Sequence, residues 1–230
     1  MRPIIIGVGG AHSGAGKTTY ASLILERLKG WGAIKYTKTG LYSSLVDDMT
    51  VLMTEGKDTR RMLDSGAEKV LWVQSTPSDL GEVLPMAVER LSGLRGIVVE
   101  GNSAIEFLKP DIIVFILGCV KEEFKESAQE ILSRSDAVVS EGETPEGISG
   151  KSRIFQKSSA GNDELITYIE IMVEKKEKIR SSLKEKSVAG KISCHAARKI
   201  AEELDVPYPE VGRTADDLGI KVTACELGCF

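Results

Sequence analysis

The apolar residues of this chain fall into short runs that alternate with segments of helical spacing. The runs that predict strands are residues 4–8, 33–36, 70–74, 97–100, 111–117 and 136–139. The segments between them, residues 17–28, 58–66, 76–91 and 122–134, carry apolar side chains every three or four positions and predict helices. Buried strands that alternate with helices are typical of an α/β fold with a mostly parallel sheet covered on both faces.

Two of the predicted helices have recognisable starts. Asp58 is placed as the N-cap of the helix that ends before Gly66, although a carboxylate at this position could instead lie near a bound Mg²⁺. Residues 76–79, Thr-Pro-Ser-Asp, form a capping-box sequence that opens the next helix. Residues 37–56 are rich in Ser, Thr and Asp. They are either a mobile segment that senses a γ-phosphate or a solvated loop with a short strand at 51–53.

The first strand leads directly into Ala-His-Ser-Gly-Ala-Gly-Lys-Thr-Thr, residues 11–19. A strand, a glycine-rich turn and Gly-Lys-Thr at the start of a helix are the features of a phosphate-binding P-loop, here with Ala11 where the strict pattern has Gly. The turn would surround phosphate with backbone N–H groups. Lys17 would reach the β- and γ-phosphates, the Thr18 hydroxyl would bind Mg²⁺, and Thr19 would touch the α-phosphate. The predicted nucleotide-binding residues are Ser13, Gly14, Ala15, Gly16, Lys17, Thr18 and Thr19.

Glu100 ends the apolar run 97–100 and is followed by Gly101. A carboxylate at the end of a buried strand, downstream of a P-loop, is typical of a Walker B acid that lies near Mg²⁺ and the attacking water. We therefore predict Lys17 and Glu100 as catalytic residues, with Thr18 and Glu100 at the metal. Because no Asn-Lys-x-Asp guanine signature occurs, the residues alone leave GTP and ATP both open.

The sequence changes character after residue 161. Residues 162–187 predict a long connecting helix with an apolar stripe and a mixed-charge face, and residues 188–230 predict a small unit of two helices spaced as in a helix-turn-helix. Residues 190–230 carry more acidic than basic side chains, with Asp216 and Asp217 on the second helix. Since phosphates repel such a face, a protein contact is favoured over nucleic acid. The predicted P-loop domain is residues 1–161.

Three cysteines lie in this terminal unit. Cys194, Cys225 and Cys229, together with His195, could hold Zn²⁺ or contribute to an iron–sulfur cluster, which would stabilise a small unit. Their spacing matches neither Cys-x-x-Cys pairs nor a ferredoxin run, so buried core cysteines are the alternative, as for Cys119.

Composition limits the class of protein. A net charge of −4 argues against a surface that binds polyanions throughout, and no apolar run reaches the length of a membrane span. Four cysteines in 230 residues do not form a secreted disulfide framework, so the expectation is a cytoplasmic protein.

Four blocks resemble the MobB family of molybdopterin-guanine dinucleotide biosynthesis proteins. They are residues 13–19, Lys35-Tyr36-Thr37, Gly56-Lys57-Asp58-Thr59 with Arg61 and the following Ser65-Gly66-Ala67, and Val98-Val99-Glu100-Gly101. The resemblance implies a weakly hydrolysing, Mg²⁺-dependent GTP-binding adaptor, here expected as a homodimer. Its implied partner is the nucleotidyltransferase that joins GMP to molybdopterin, or another molybdoenzyme-maturation protein. An ATP-dependent kinase or ligase, and a nucleotide-responsive regulator, are the competing hypotheses.

Overall fold

The computed structural model describes residues 2–118, 126–142, 148, 150 and 152–224. The chain divides into two compact units, one of Pro3–Ile169 and one of Met1–Arg2 with Glu170–Phe230. The division falls inside a long helix, α7, which spans Ser159–Lys186.

The unit Pro3–Ile169 is built on a sheet in which eight strands are described, in the order β3-β4-β2-β5-β1-β6-β7-β8. Among the described residues only the β3–β4 pair is antiparallel, so the predicted mostly parallel α/β fold is confirmed. The strands are β1 (Ile4–Gly10), β2 (Trp31–Lys38), β3 (Ser44–Val46), β4 (Val70–Ser75), β5 (Gly96–Glu100), β6 (Ile112–Gly118), β7 (Ala137–Ser140) and β8 (Arg153–Gln156). The helices that precede α7 are α1 (Lys17–Arg27), α2 (Met49–Leu52), α3 (Asp58–Asp64), α4 (Leu80–Arg90), α5 (Asn102–Leu108) and α6 (Glu126–Ser133).

Both faces of this sheet are buried. Ile5 and its neighbours on β2, β4 and β5 pack against α4 in one apolar cluster, and β6 packs with α5 and α6 in another. The alternate residues Ile4, Ile6 and Val8 point to the opposite face, since successive side chains of a strand alternate, and they are buried too. The central strand therefore has no solvated face, which explains why it reads as an uninterrupted apolar run.

An aromatic ring packs directly against the backbone at the start of β5. A Cβ at Gly96 would lie 2.5 Å from the ring of Trp31, which begins the neighbouring strand β2 and is fully buried. Glycine is therefore required at this position by contact, because no side chain fits between the two strands there.

Two local predictions were wrong. Residues 51–53 do not form a strand, because Met49–Leu52 is a helical turn whose first N–H groups are capped: Thr50 N donates to Asp48 Oδ1 over 2.8 Å. The Thr76 side chain does not cap the helix that follows it. Its hydroxyl instead bonds Ser78 Oγ at 2.7 Å, and a turn of 3₁₀ helix, Pro77–Asp79, precedes α4.

The unit that contains Glu170–Phe230 pairs two short parallel strands. β9 (Lys191–Ser193) is followed by α8 (Cys194–Leu204), α9 (Tyr208–Asp217) and β10 (Lys221–Thr223), which pairs with β9. The two predicted helices are present, but the strand pair was not predicted, and the unit is not confirmed as a helix-turn-helix. Its core lies between α8, α9 and the second half of α7, where Ile179, Leu183 and Ile200 are fully buried.

None of the helices that the described part of the chain forms combines the length and the hydropathy needed to cross a membrane.

Candidate nucleotide and magnesium site

The loop between β1 and α1 has the backbone conformation that its sequence predicts. Gly14 has φ +80° and Gly16 has φ +104°, and a Cβ at either position would meet no atom within 4 Å. Glycine is therefore needed here for its dihedral freedom and not for space. Ala11 N donates to Ile116 O over 3.0 Å, which ties the start of the loop to β6, so alanine in place of the usual glycine removes no donor.

Lys17 is the first residue of α1, and its side chain lies back across this loop. The ammonium donates to His12 O over 2.7 Å. Burial lowers the pKa of Lys17, and the nearby charge of Glu100 opposes that shift. A half-buried cation held against the loop backbone is positioned to receive negative charge that enters the loop.

Thr18 and Glu100 meet at the carboxyl end of the sheet. Thr18 Oγ1 donates to Glu100 Oε2 over 2.9 Å, and the residue Glu100 is 2% exposed. The structure thus places the threonine of the loop beside the acid that ends β5, and two oxygen-bearing side chains meet at the first turn of α1.

Lys35 joins this pair from the neighbouring strand. It is the register partner of Glu100 across β2 and β5, and its ammonium lies 2.5 Å from Glu100 Oε1 and 2.6 Å from Asp58 Oδ2. Burial alone would lower the pKa of Lys35, but the charges and hydrogen bonds of Glu100 and Asp58 outweigh it and raise that pKa. Lys35 therefore stays charged, and it holds the two carboxylates together.

The predicted capping role of Asp58 was wrong. Lys57 is the N-cap of α3, Asp58 is the first helical residue, and no side chain caps the helix. The Asp58 carboxylate turns to Lys35 instead, because the charged, partly buried ammonium on β2 attracts it more strongly than a neutral backbone N–H would. Burial raises the pKa of Asp58, but the hydrogen bond and charge of Lys35 outweigh this and lower it overall.

Arg61 reaches the loop from the same helix. Its guanidinium donates to Thr19 Oγ1 over 3.0 Å. Together with Ser13, Gly14, Gly16 and the residues above, it lines a cavity of about 300 Å³ over the loop. Ala15 belongs to the same turn but is buried.

Asn102 fixes the other wall of the site. Its side-chain amide donates to Gly10 O over 2.9 Å and accepts from Gly10 N over 3.0 Å. The first residue of α5, two positions beyond β5, is thereby locked to the end of β1, which holds the acid-bearing strand end beside the loop.

Sequence reasoning did not assign a role to Lys35 or Asn102. A usable signal existed for Lys35, since a lysine near the end of one apolar strand and an acid at the end of another meet when the strands are neighbours in a parallel sheet. The order β2-β5-β1 is what makes them neighbours, and it cannot be read from the chain.

The predicted cysteine cluster stays a prediction. Cys194 is a partly exposed free thiol at the start of α8, whereas Cys225, Cys229 and Cys119 lie outside the described residues. Within residues 2–118, 126–142, 148, 150 and 152–224, no three His, Cys, Asp or Glu side chains form a group that could hold a metal ion.

Comparison with known proteins adds little to this geometry. No family model matches the chain, and no curated protein matches it. Among solved structures, the chain is similar to HypB from Helicobacter pylori, crystallised in complex with nickel, with 9% identity and a TM-score of 0.38 over 75% of this chain and 88% of that one. A likeness at this level supports no functional argument. The site is defined by the loop, the order of the strands and the four ionisable groups Lys17, Lys35, Asp58 and Glu100.

Proposed function

We propose that this protein binds a nucleoside triphosphate together with Mg²⁺ at the loop of residues 11–19. The observation that carries the proposal is the contact of Thr18 with Glu100, beside Lys17 and at the first turn of α1. Backbone amides, a helix N-terminus and a lysine supply positive charge for phosphate. A hydroxyl and a carboxylate supply the hard oxygen ligands that Mg²⁺ prefers.

The residues present fit a divalent cation. Two carboxylates, Glu100 and Asp58, already surround a positive charge, the ammonium of Lys35, at 2.5 and 2.6 Å. Thr18 and Glu100 would hold Mg²⁺, with Asp58 close by. When bound, Mg²⁺ would neutralise charge on the β- and γ-phosphate oxygens.

The side chains of this protein then have distinct tasks. Lys17 and the loop amides orient the β- and γ-phosphates and stabilise their charge. Glu100 orients the metal or a water molecule. The residues that line the cavity over the loop include no glutamine, and Arg61 bonds Thr19, at the α-phosphate end of the loop. We therefore expect slow hydrolysis unless a partner supplies a further group.

We further propose that the nucleotide is GTP and that the protein is a homodimeric adaptor in molybdopterin-guanine dinucleotide synthesis, with the nucleotidyltransferase or a molybdoenzyme-maturation protein as its partner. The support is that blocks resembling the MobB family meet at one place. Lys17, Lys35, Asp58 and Glu100 come from four separate blocks of the sequence and line the same cavity. None of these four residues distinguishes guanine from adenine, so the preference for GTP must be measured against ATP.

The test is calorimetric titration of the full chain with GTP and with ATP, each in Mg²⁺ and in EDTA. We expect micromolar GTP binding that weakens without Mg²⁺, is lost in Lys17→Ala, and is unchanged in Lys29→Ala, an exposed lysine near the far end of α1. A preference for ATP would move the assignment to a kinase or ligase. Failure to bind either nucleotide would refute the proposal.

The adaptor role requires a separate test. Size-exclusion chromatography with light scattering should give the mass of a dimer for the chain alone and a larger complex with a purified molybdopterin-guanine nucleotidyltransferase when GTP is present. Nucleotide binding without complex formation would leave the site assignment intact and remove the adaptor role.

A further inference from the structure

A second, larger cavity adjoins the loop. Its volume is about 950 Å³, which lies in the range of small-molecule sites. It shares Ser13, Lys17, Lys35, Asp58 and Glu100 with the cavity of about 300 Å³, so the two spaces meet at the ionisable groups of the site.

The two cavities differ in which part of the loop they touch. The smaller one includes Thr18 and Thr19, which face the metal and the α-phosphate in the proposed binding mode, and the larger one includes neither. Both include Lys17, which reaches the β- and γ-phosphates. In that binding mode the polyphosphate would fill the smaller cavity, and the larger cavity would begin at its γ-phosphate end.

Some polar groups that line the larger cavity keep hydrogen-bonding capacity that no described neighbour uses. Among the described residues, neither the Lys38 ammonium nor the Ser103 hydroxyl has a hydrogen-bond or ion-pair partner. Thr37 Oγ1 accepts from Trp72 Nε1 over 3.0 Å, which leaves its own proton free to donate. Lys38, Thr37 and Ser103 therefore give the lining of this cavity one cation and two hydroxyl donors, which suit an anionic group.

We propose that this cavity binds a second ligand, a small molecule with a phosphate or carboxylate group held by Lys38 and Ser103. Lys38 lies three residues beyond Lys35 on β2, or about 10 Å at the rise of a strand. A ligand anchored at Lys38 would thus extend its other end to the groups at the γ-phosphate. The orientation of this ligand toward the γ-phosphate rests on the proposed nucleotide-binding function, whereas the existence of the anion site does not.

The experiment uses inorganic phosphate and malonate as probes of the two anionic groups. The full chain is saturated with Mg²⁺ and a non-hydrolysable GTP analogue, which occupies the loop, and each probe is titrated by calorimetry. We expect one site for at least one probe, with affinity reduced at least tenfold in Lys38→Ala and lowered in Ser103→Ala, and unchanged in Lys29→Ala. Phosphate binding alone would identify a phosphorylated ligand, and malonate binding alone a carboxylate.

This inference would be overturned if the nucleotide-loaded protein bound neither probe, or if Lys38→Ala and Ser103→Ala left the binding unchanged. The nucleotide assignment would stand in either case. If the nucleotide itself does not bind, the same titrations of the nucleotide-free chain decide the matter. A site lost in Lys38→Ala then supports the anion site without the proposed function. A chain with no such site refutes both.

Discussion

Thr18 Oγ1 and Glu100 Oε2 lie 2.9 Å apart, although 82 residues separate them in the chain. The contact exists because β5 is the parallel neighbour of β1, so that the carboxyl end of β5 lies beside the loop that β1 feeds. It links the phosphate loop to the acid through one hydrogen bond, and a metal bound there would be held from both elements.

Replacing Glu100 by glutamine should remove most of the Mg²⁺ dependence of nucleotide binding. The amide keeps the shape and one acceptor but loses the charge that attracts the cation. We expect affinity for GTP in Mg²⁺ to fall at least tenfold toward the value in EDTA, measured by calorimetry. Glu106→Gln, an exposed acid on α5, is the matched control. An unchanged ratio of the two affinities would show that Glu100 is not a metal ligand.

Asp58 should contribute to stability above its ordinary pKa and lose that contribution in acid. The pKa of Asp58 in the folded protein is lowered from 3.8. As the pH falls, the unfolded chain therefore takes up the proton at a higher pH than the folded protein does. The free energy of unfolding decreases over the interval between the two pKa values. Thermal unfolding midpoints measured from pH 6 downward should therefore fall less steeply for Asp58→Asn than for the parent below about pH 4. Asp64→Asn, an exposed acid at the end of α3, should keep the parent slope. Parallel curves for Asp58→Asn and the parent would contradict the Lys35 pair.

Gly16→Ala should weaken nucleotide binding and destabilise the fold by about 1–2 kcal/mol, because alanine is strained at positive φ. No atom lies where the new methyl group would go, so the effect is one of backbone conformation alone. Gly93→Ala also enters open space, but without a positive φ, and should change urea-unfolding stability by no more than about 0.5 kcal/mol. Equal effects of the two substitutions would contradict this account.

Ser193→Ala should destabilise the unit of α8 and α9 by about 1 kcal/mol. The Ser193 hydroxyl accepts from Ala196 N over 3.1 Å at the start of α8, and alanine leaves that donor without its partner. Thr76→Ala is the comparison, because Thr76 occupies an N-cap position without a side-chain cap bond. This substitution should lower the free energy of unfolding by less than Ser193→Ala does. Urea unfolding measured by circular dichroism distinguishes the two.

Those features of the fold that depend on local pattern could be predicted from the sequence. The apolar runs located β1, β2, β4, β5, β6 and β7, and the motif located the loop, because each of these is specified by adjacent residues. β8 was not predicted because only Phe155 of its four residues is buried, which leaves no apolar run. β9 and β10 have three residues each and include lysines, so their pairing depends on the helices between them.

The site was predictable only in part for the same reason. Lys17 and Thr18 belong to the motif, and Glu100 follows a buried strand, so each carries a local signal. From its neighbours in the sequence, Asp58 is compatible with a helix N-cap. Its carboxylate does not cap the helix because it pairs with Lys35, which lies 23 residues earlier in the chain. Local propensity gives way there to an ion pair that exists only after the sheet has formed.

The close approach of Trp31 to Gly96 has a consequence for how this sequence can diverge. A side chain at position 96 is excluded only while an indole occupies position 31, so the two positions constrain each other. Gly96→Ala alone should push β5 away from β2 and disturb Glu100 at the other end of that strand, whereas the same change combined with a smaller residue at 31 should be accommodated. In divergent sequences that keep this sheet, a larger residue at position 96 should therefore occur together with a smaller residue at position 31. This correlated change in side-chain size can help to recognise distant homologues.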